Sequence, residues 1–327
     1  MGGGQRIAVA DLGTNSTRLL VADATPDGML VEVERLSEVT RLGQGVDSSG
    51  RLAEEAIERV HRCLARYRKV ADGHRPNRTI AVATSAVRDA ANGPQFQEAV
   101  RERSGFELRI IPGEEEARLT FLGATAGRAA GSESVLVIDI GGGSTEYVVG
   151  HPGADPDFHV STRLGSVRQT ERHLTADPPP HEDLEALAAA AREILVAAVP
   201  VQVRERVEAG IAVAGTATSL AAIDQELAPY DAVRVDGYRL MLAECERMLA
   251  RLAAMPLDQR REVAGLHPDR APTIVAGATI LVESMRAFGL EHVEVGEADI
   301  LHGVALDLLT RSPWPSRSSG PPALDKN

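Results

Sequence analysis

The sequence is poor in aromatic residues, which make up 3% of its 327 residues, and it contains only two cysteines. Cys63 and Cys245 lie far apart and lack the CxxC or Cys/His spacing of a zinc site or a redox pair. Both lie in segments with helical periodicity, LAEEAIERVHRCLARYRKV and YRLMLAECERMLARL. We therefore expect two small buried apolar residues in a protein of a reducing compartment.

Long hydrophobic runs are also missing from the sequence. No uncharged apolar stretch approaches the ~18 residues of a membrane span, and the N-terminal MGGGQRI lacks the apolar region of a signal peptide. The nine histidines form no HxH or HExxH cluster, which argues against a histidine-based metal site or a phosphohistidine mechanism. These observations predict a cytoplasmic protein with no membrane partner.

Positive charge is in deficit, because the formal net charge is −12. Phosphate backbones are held mainly by clustered Lys and Arg, so this balance argues against general nucleic-acid binding. A polyanionic ligand would have to meet a local basic cleft or arrive with its own metal ion.

The sequence does contain a duplicated glycine hairpin. The stretch VLVIDIGGGSTEYVVG (135–150) repeats the pattern of IAVADLGTNSTRLLVA (7–22) at an offset of 128 positions. The identical pairs are Val9/Val137, Asp11/Asp139, Gly13/Gly141, Ser16/Ser144, Thr17/Thr145 and Val21/Val149. Each unit is an apolar run, a glycine turn led by an aspartate, and a second apolar run, so the chain builds the same loop twice.

Strand-like and helix-like segments alternate along the rest of the chain, with strands predicted, among others, near 158–162 and at 292–295, and helices at 239–253 and 270–288. At 327 residues the chain exceeds the usual size of a single core. We expect an α/β fold of two similar domains facing a central cleft. The boundary is predicted near GRAAGSES, giving domains at 1–126 and 127–298, a helix near 299–311 that completes the first domain, and a disordered tail at 312–327.

A Rossmann or P-loop interpretation of the hairpins fails on context. Those motifs place a helix directly after the glycines, whereas RLLVA and EYVVG are strand-like, and no GK[ST] follows. A strand–turn–strand loop can still bind phosphate, because glycines let successive N–H groups converge on an anion and Ser/Thr hydroxyls add donors. Ordinary hairpin turns are the alternative for either loop alone, but their duplication in register favours phosphate.

An aspartate at the mouth of a phosphate loop would repel the anion unless it bound a cation. We therefore predict that Asp139 and Asp11 hold Mg²⁺, with Mn²⁺ as the alternative. The phosphate-binding residues predicted in the two hairpins are Gly13, Thr14, Asn15, Ser16, Arg18, Gly141, Gly142, Gly143, Ser144 and Thr145.

The two loops resemble the phosphate-1 and phosphate-2 loops of the actin-like (ribonuclease H-like) ATPase domain superfamily, and AVAGTATSL (212–220) resembles its later glycine motif. The second resemblance implies that Gly215 and Thr216 also bind phosphate. Four further stretches resemble the exopolyphosphatase and guanosine pentaphosphate phosphohydrolase family: ATSAVRDA, PGEEEARLTFLG, RLGSVRQTE and HPDRAPTIVAGATIL. The resemblance covers about residues 5–310 and fits the short form of the family. It implies Mg-dependent hydrolysis of the terminal phosphoanhydride of polyphosphate, with less preference for very long chains.

The resemblance places the family's catalytic glutamate at Glu116, which would orient or deprotonate the attacking water. Glu114 and Glu115 are interpreted as complements to the helix dipole. Glu146 is a second catalytic candidate, because it follows the second loop at the position that Arg18 holds in the first repeat. For both Glu146 and Arg18, the alternative is that the residue lies on the surface of its strand and has no role in the site.

Arg88 matches the family's substrate-binding arginine, and a guanidinium suits phosphate because it donates two hydrogen bonds at once. Arg118 is expected to pair with nearby acids, whereas Arg168 and Arg270 could be structural residues or cleft residues. Ser85 and Ser144 lack a His/Asp relay, so direct attack by water is the simpler mechanism.

Three other functions stay open at this point. The nucleotide pppGpp could be the substrate of the same chemistry, a kinase-like phosphotransferase could bind ATP at the same loops, and a sensor could bind phosphate ligands without turnover. Apolar residues in 270–288 could serve a homodimer.

Overall fold

The computed structural model describes residues 5–25 and 28–310, and its first half is built on a five-stranded sheet. The strands are β1 (Arg6–Leu12), β2 (Ser16–Ala24), β3 (Leu30–Val39), β4 (Arg78–Ala83) and β5 (Leu108–Ile110), in the order β3-β2-β1-β4-β5. The helices are α1 (Val46–Ser49), α2 (Glu54–His74), α3 (Ser85–Asp89), α4 (Gly93–Ser104) and α5 (Gly113–Ala124). α2 covers one face of this sheet through buried residues such as Val60, Cys63 and Leu64.

The second half is built on a six-stranded sheet in the order β10-β11-β9-β6-β7-β8. Its strands are β6 (Val135–Ile140), β7 (Thr145–Gly150), β8 (Phe158–Thr162), β9 (Ala209–Val213), β10 (Arg239–Met241) and β11 (His292–Val295). The helices are α6 (Ser166–His173), α7 (His181–Ala198), α8 (Val201–Arg204), α9 (Ala214–Asp224), α10 (Ala232–Val235), α11 (Leu242–Ala253), α12 (Leu257–Arg260), α13 (Ile274–Phe288) and α14 (Ile300–Thr310), with a 3₁₀ turn at Pro268–Arg270.

The two sheets share one topology around the duplicated hairpins. The β1–β2 hairpin is antiparallel and continues through a parallel β4, just as the antiparallel β6–β7 hairpin continues through a parallel β9. In register, Asp11 lies opposite Arg18 in the first hairpin, and Asp139 lies opposite Glu146 in the second. The predicted α/β fold of two similar domains is confirmed.

The helix α14 returns to the first sheet after the second sheet is complete. Its residues Ile300, Leu301 and Val304 pack in one core with Ile7 and Val9 of β1. Helix α14 also crosses α5 at very short range, since a Cβ at Gly303 would overlap the carbonyl group of Leu119 and one at Gly123 would overlap the carbonyl group of Asp299. The two glycines allow this approach, which fixes the position of α5.

Cys63 and Cys245 are free and buried, as predicted. Helix α13 is buried along nearly its whole length within the second domain, so its apolar residues do not form the exposed surface that we expected for a homodimer. No helix in the described segments is long and apolar enough to span a bilayer. The predicted disordered tail lies outside the described residues.

Candidate active site

The turns of the two hairpins meet across the cleft between the domains. A Cβ added at Gly142 would lie 3.0 Å from Cβ of Thr14 and 3.1 Å from the amide nitrogen of Asn15. A Cβ at Gly143 would clash with the hydroxyl of Ser85 and would lie 2.7 Å from that of Thr14. Glycine is therefore the residue that lets the second loop approach the first.

Both turns close in the same way and leave amides available. The N–H of Gly13 donates to the carbonyl of Ser16, and the N–H of Gly141 donates to the carbonyl of Ser144, each at 3.0 Å. Four loop amides have no hydrogen-bond acceptor among the described residues, those of Thr14, Asn15, Gly142 and Gly143. Converging amides without protein partners are the donors that an oxyanion requires.

Most of the predicted site residues line one cleft. They are Asp11, Gly13, Thr14, Asn15, Ser16, Arg18, Glu116, Asp139, Gly141, Gly142, Ser144, Glu146, Gly215 and Thr216. Arg88 and Gly143 line a second cavity next to it, which shares Ser85 and Ser144 with the cleft. Thr145 is the exception, because its hydroxyl lies in the core and donates to the carbonyl of Leu164. Its side chain therefore takes no part in the cleft.

Glu116 lies in the first turn of α5 and is buried, whereas Glu114 of the same turn is exposed. Arg88 on α3 donates from Nη1 to Oε2 of Glu116 at 2.9 Å and to the carbonyl of Ile111 at 3.0 Å. Burial raises the pKa of Glu116 to about 7; the charge of Asp139 acts in the same direction, and Arg88 acts against it. A carboxylate with a pKa near neutrality is suited to accept a proton from water.

Glu146 and Asp139 are two further buried carboxylates with few partners. Burial raises the pKa of Asp139 to about 7, assisted by the charge of Asp299. Burial, followed by the charge of Glu116, raises the pKa of Glu146 well above its ordinary value. Ser161 donates to Oε1 of Glu146 at 2.7 Å, and Thr120 lies 3.4 Å from Asp139. Among the described residues neither carboxylate forms an ion pair with an arginine, so a bound cation would relieve their mutual repulsion.

The first hairpin has its own charge network. Nη2 of Arg18 lies 2.7 Å from Oδ2 of Asp11, and Nη1 of Arg18 binds Asp299, which accepts from the N–H of Leu301 at the start of α14. Arg18 is therefore paired with two buried carboxylates, and its predicted contact with substrate phosphate stays a prediction. The sequence reasoning missed Asp299, whose only signal is its place just before a helix.

The donor set at the two aspartates fits a divalent cation. Oδ1 of Asp11 is buried and has no hydrogen-bond partner among the described residues, and Asp139 accepts only the weak bond from Thr120. The described part of the chain holds no group of three or more acidic, histidine or cysteine side chains that could bind a metal alone. Mg²⁺ does not need such a group, since it takes one or two carboxylates together with waters and substrate phosphates.

Arg270, left open by the sequence, belongs to the cleft. It ends the 3₁₀ turn, lines the cleft, and lies so close to Gly215 that any Cβ there would overlap its guanidinium. Burial, together with the charge of Arg18, lowers the pKa of Arg270. Its guanidinium has no ion-pair or hydrogen-bond acceptor in the described segments. Arg270 is half-buried, and a partly buried guanidinium without an acceptor is suited to bind an anionic ligand.

The other two arginines have structural partners. Arg118 pairs with Asp307 at 2.7 Å, as predicted. Arg168 is buried, binds Asp47, and lies 2.8 Å from Asp89.

Comparisons with known proteins agree on one family. Residues 6–312 match the model of the Ppx/GppA phosphatase family. The chain is 37% identical over 315 residues to exopolyphosphatase 2 of Mycobacterium tuberculosis, covering 93% of this chain and 98% of that protein. It is 33% identical over 307 residues to exopolyphosphatase 1 of Mycobacterium bovis, covering 92% and 87% respectively.

Solved structures give the same result. An exopolyphosphatase-like protein superposes with a TM-score of 0.87 at 33% identity, covering 93% of this chain and 98% of that one. An exopolyphosphatase from Cytophaga hutchinsonii superposes with a TM-score of 0.84 at 25% identity, covering 94% and 98% respectively.

Proposed function

This chain belongs to the Ppx/GppA phosphatase family, and on that premise we propose that it is an exopolyphosphatase, a hydrolase that removes the terminal phosphate of inorganic polyphosphate. One observation carries the proposal: two glycine loops with unpaired amides face each other next to a buried glutamate whose pKa is near 7. A loop pair of this kind holds a phosphate chain from two sides, while the glutamate accepts a proton.

The terminal phosphoryl group lies between the loops, where the amides of Asn15 and Gly142 donate to its oxygens. A water beside Glu116 attacks phosphorus in line with the bridging oxygen. Its oxygen forms the new bond, its proton passes to Glu116, and the bond to the bridging oxygen breaks. The electron pair of that bond leaves with the shortened chain, and the products are orthophosphate and a polyphosphate one unit shorter.

Enzymes of this family generally depend on a divalent metal ion. In this chain Asp139 and Asp11 would hold it, and the ion, which we propose is Mg²⁺ with Mn²⁺ as the alternative, neutralises phosphate charge when bound. Arg270 binds a phosphate further along the chain, because its guanidinium lines the cleft and has no acceptor among the described residues. Glu146 provides a second carboxyl group beside the reacting phosphate.

The guanosine pentaphosphate pppGpp is the alternative substrate, because the same cleft continues past the loops to Gly215, Thr216 and the apolar side chain of Ile274, which could contact a nucleoside. The test compares kcat/KM for polyphosphates of defined length, pppGpp and ATP in the presence of Mg²⁺. We expect phosphate release to be most efficient from polyphosphate. Absence of release from all three would contradict hydrolysis, and a higher kcat/KM for pppGpp would favour the alternative.

A further inference from the structure

A second cavity of about 260 Å³ adjoins the cleft. Three arginines line it, Arg88, Arg163 and Arg168, and it shares Ser85 and Ser144 with the main cleft. This volume is below the ~300–1,000 Å³ of pockets for drug-sized ligands. The cavity therefore suits a small ligand, and its arginines and hydroxyls select an anion.

The charges around this cavity favour an oxyanion. Asp89 is the single carboxylate among the described residues that line it, and it lies 2.8 Å from Arg168 and 3.5 Å from Arg163. Asp47 lies outside the lining and also pairs with Arg168 and, at 3.2 Å, with Arg163. Arg168 is buried and held in place by a hydrogen bond of 2.8 Å to the carbonyl of Gly143. Arg163 lies at the rim with 64% of its side chain exposed, so its guanidinium can reach an incoming ion.

The direction of hydrolysis points from the cleft into this cavity. In an in-line displacement the phosphorus moves away from the leaving chain and toward the attacking oxygen. In the proposed reaction that oxygen lies next to Glu116, Glu116 is bound by Arg88, and Arg88 lines the second cavity. The new orthophosphate is thus displaced toward the arginines, while the shortened chain stays in the main cleft.

We propose that the cavity lined by Arg88, Arg163 and Arg168 is a separate orthophosphate site through which the product leaves. The inference rests on the proposed function, because it assigns the site to the product of that reaction. Its consequence is that the polyphosphate chain does not have to dissociate before the next cleavage.

The test measures binding of inorganic phosphate to the whole protein by calorimetry. The main cleft is first saturated with a tripolyphosphate analogue whose bridging oxygens are replaced by NH groups and which cannot be hydrolysed. We expect phosphate to bind together with the analogue, and Arg163→Gln to weaken that binding by about tenfold, as expected for loss of one charge-assisted hydrogen bond. Arg163→Lys keeps the charge and should retain most of the affinity.

Arg172→Gln is the matched control. Arg172 contributes a charge to the same cluster, through Asp47, but does not line the cavity. We expect the phosphate affinity of Arg172→Gln to stay within about twofold of wild type, since an exposed charge outside the site contributes little. Equal losses in Arg163→Gln and Arg172→Gln, or exclusion of phosphate by the analogue, would overturn the proposal.

Failure of the inference and failure of the proposed function give different results. If the protein hydrolyses polyphosphate normally but its binding of phosphate does not depend on Arg163, only the proposed product site is wrong. If phosphate binding depends on Arg163 but the protein hydrolyses no polyphosphate, the cavity is an anion site and the proposed exopolyphosphatase activity is wrong.

Discussion

Nη1 of Arg88 donates a hydrogen bond of 2.9 Å to Oε2 of Glu116. This contact joins the two functional motifs of the first domain, since Arg88 lies on α3 and Glu116 on α5. Burial raises the pKa of the carboxyl group, and the guanidinium opposes that rise, so the pKa of Glu116 lies at about 7.

Glu116→Gln should lower kcat for phosphate release by roughly 10² to 10⁴, because the amide cannot accept the proton of the attacking water. Glu114→Gln is the control, since Glu114 lies in the same helical turn but is exposed. It should keep the wild-type rate. A folded Glu116→Gln protein with wild-type kcat would show that this residue is not the base.

The pH dependence follows from the same pair. A base must be deprotonated, so kcat should rise with pH through about 7 as Glu116 loses its proton. Arg88→Gln removes the charge that favours the carboxylate, so the rising limb should move to higher pH. Arg118→Gln is the control, because Arg118 is equally exposed but pairs with Asp307. If the rising limb of kcat lies at the same pH in wild type, Arg88→Gln and Arg118→Gln, the assignment of Glu116 as the base is contradicted.

Glu146→Gln should stabilise the protein while lowering its activity. The folded-state pKa of Glu146 is raised by burial, so as pH rises above about 4.5 the unfolded chain loses this proton before the folded protein does. Wild-type stability therefore falls with rising pH relative to the Gln variant. Thermal unfolding should show similar Tm values for the two proteins at pH 4 and a higher Tm for Glu146→Gln at pH 8. The difference should be about 2–4 °C for each kcal/mol by which the substitution raises the free energy of unfolding. A lower Tm at pH 8 would refute this reading.

Gly142→Ala should reduce kcat/KM by about 10- to 100-fold, because a Cβ would push against Thr14 and Asn15 and misplace the two loops. Gly73→Ala is the control, since nothing lies within 4 Å of a Cβ there and the residue is within α2. That change should leave kinetics unchanged. Equal kinetics for both variants would mean that close contact of the loops is not required.

Arg270→Gln should raise KM by about tenfold or more without lowering the free energy of unfolding, because it removes a half-buried charge that has no ion-pair or hydrogen-bond acceptor among the described residues. Arg260→Gln gives the contrast. Arg260 is buried and pairs with Asp177, so its loss should lower Tm and leave KM unchanged. A Tm loss in Arg270→Gln without a change in KM would indicate a structural arginine.

Many elements could be predicted from local pattern. The predicted strands at 158–162 and 292–295 match β8 and β11, because short β-branched runs between turns leave few alternatives. β3 was not predicted, since LVEVERLSEV carries charges along a partly exposed edge strand. The helix predicted from 239 begins at Leu242, because Arg239–Met241 pairs with β11 as β10. Pairing of this kind depends on a segment about 50 residues away.

The repeat of Asp, Gly, Ser and Thr was sufficient to predict two facing loops, and the motif around Glu116 was sufficient to predict a carboxyl group in their cleft, because each depends on residues adjacent in the chain. The catalytic role of Glu116 stays a prediction. The partners of those residues depended on folding. Asp299 binds Arg18 across 281 positions, and the guanidinium of Arg270 enters the cleft without an acceptor from the described chain. Charge pairing and burial are properties of neighbours in space, so they arise only when both sheets and α14 have come together.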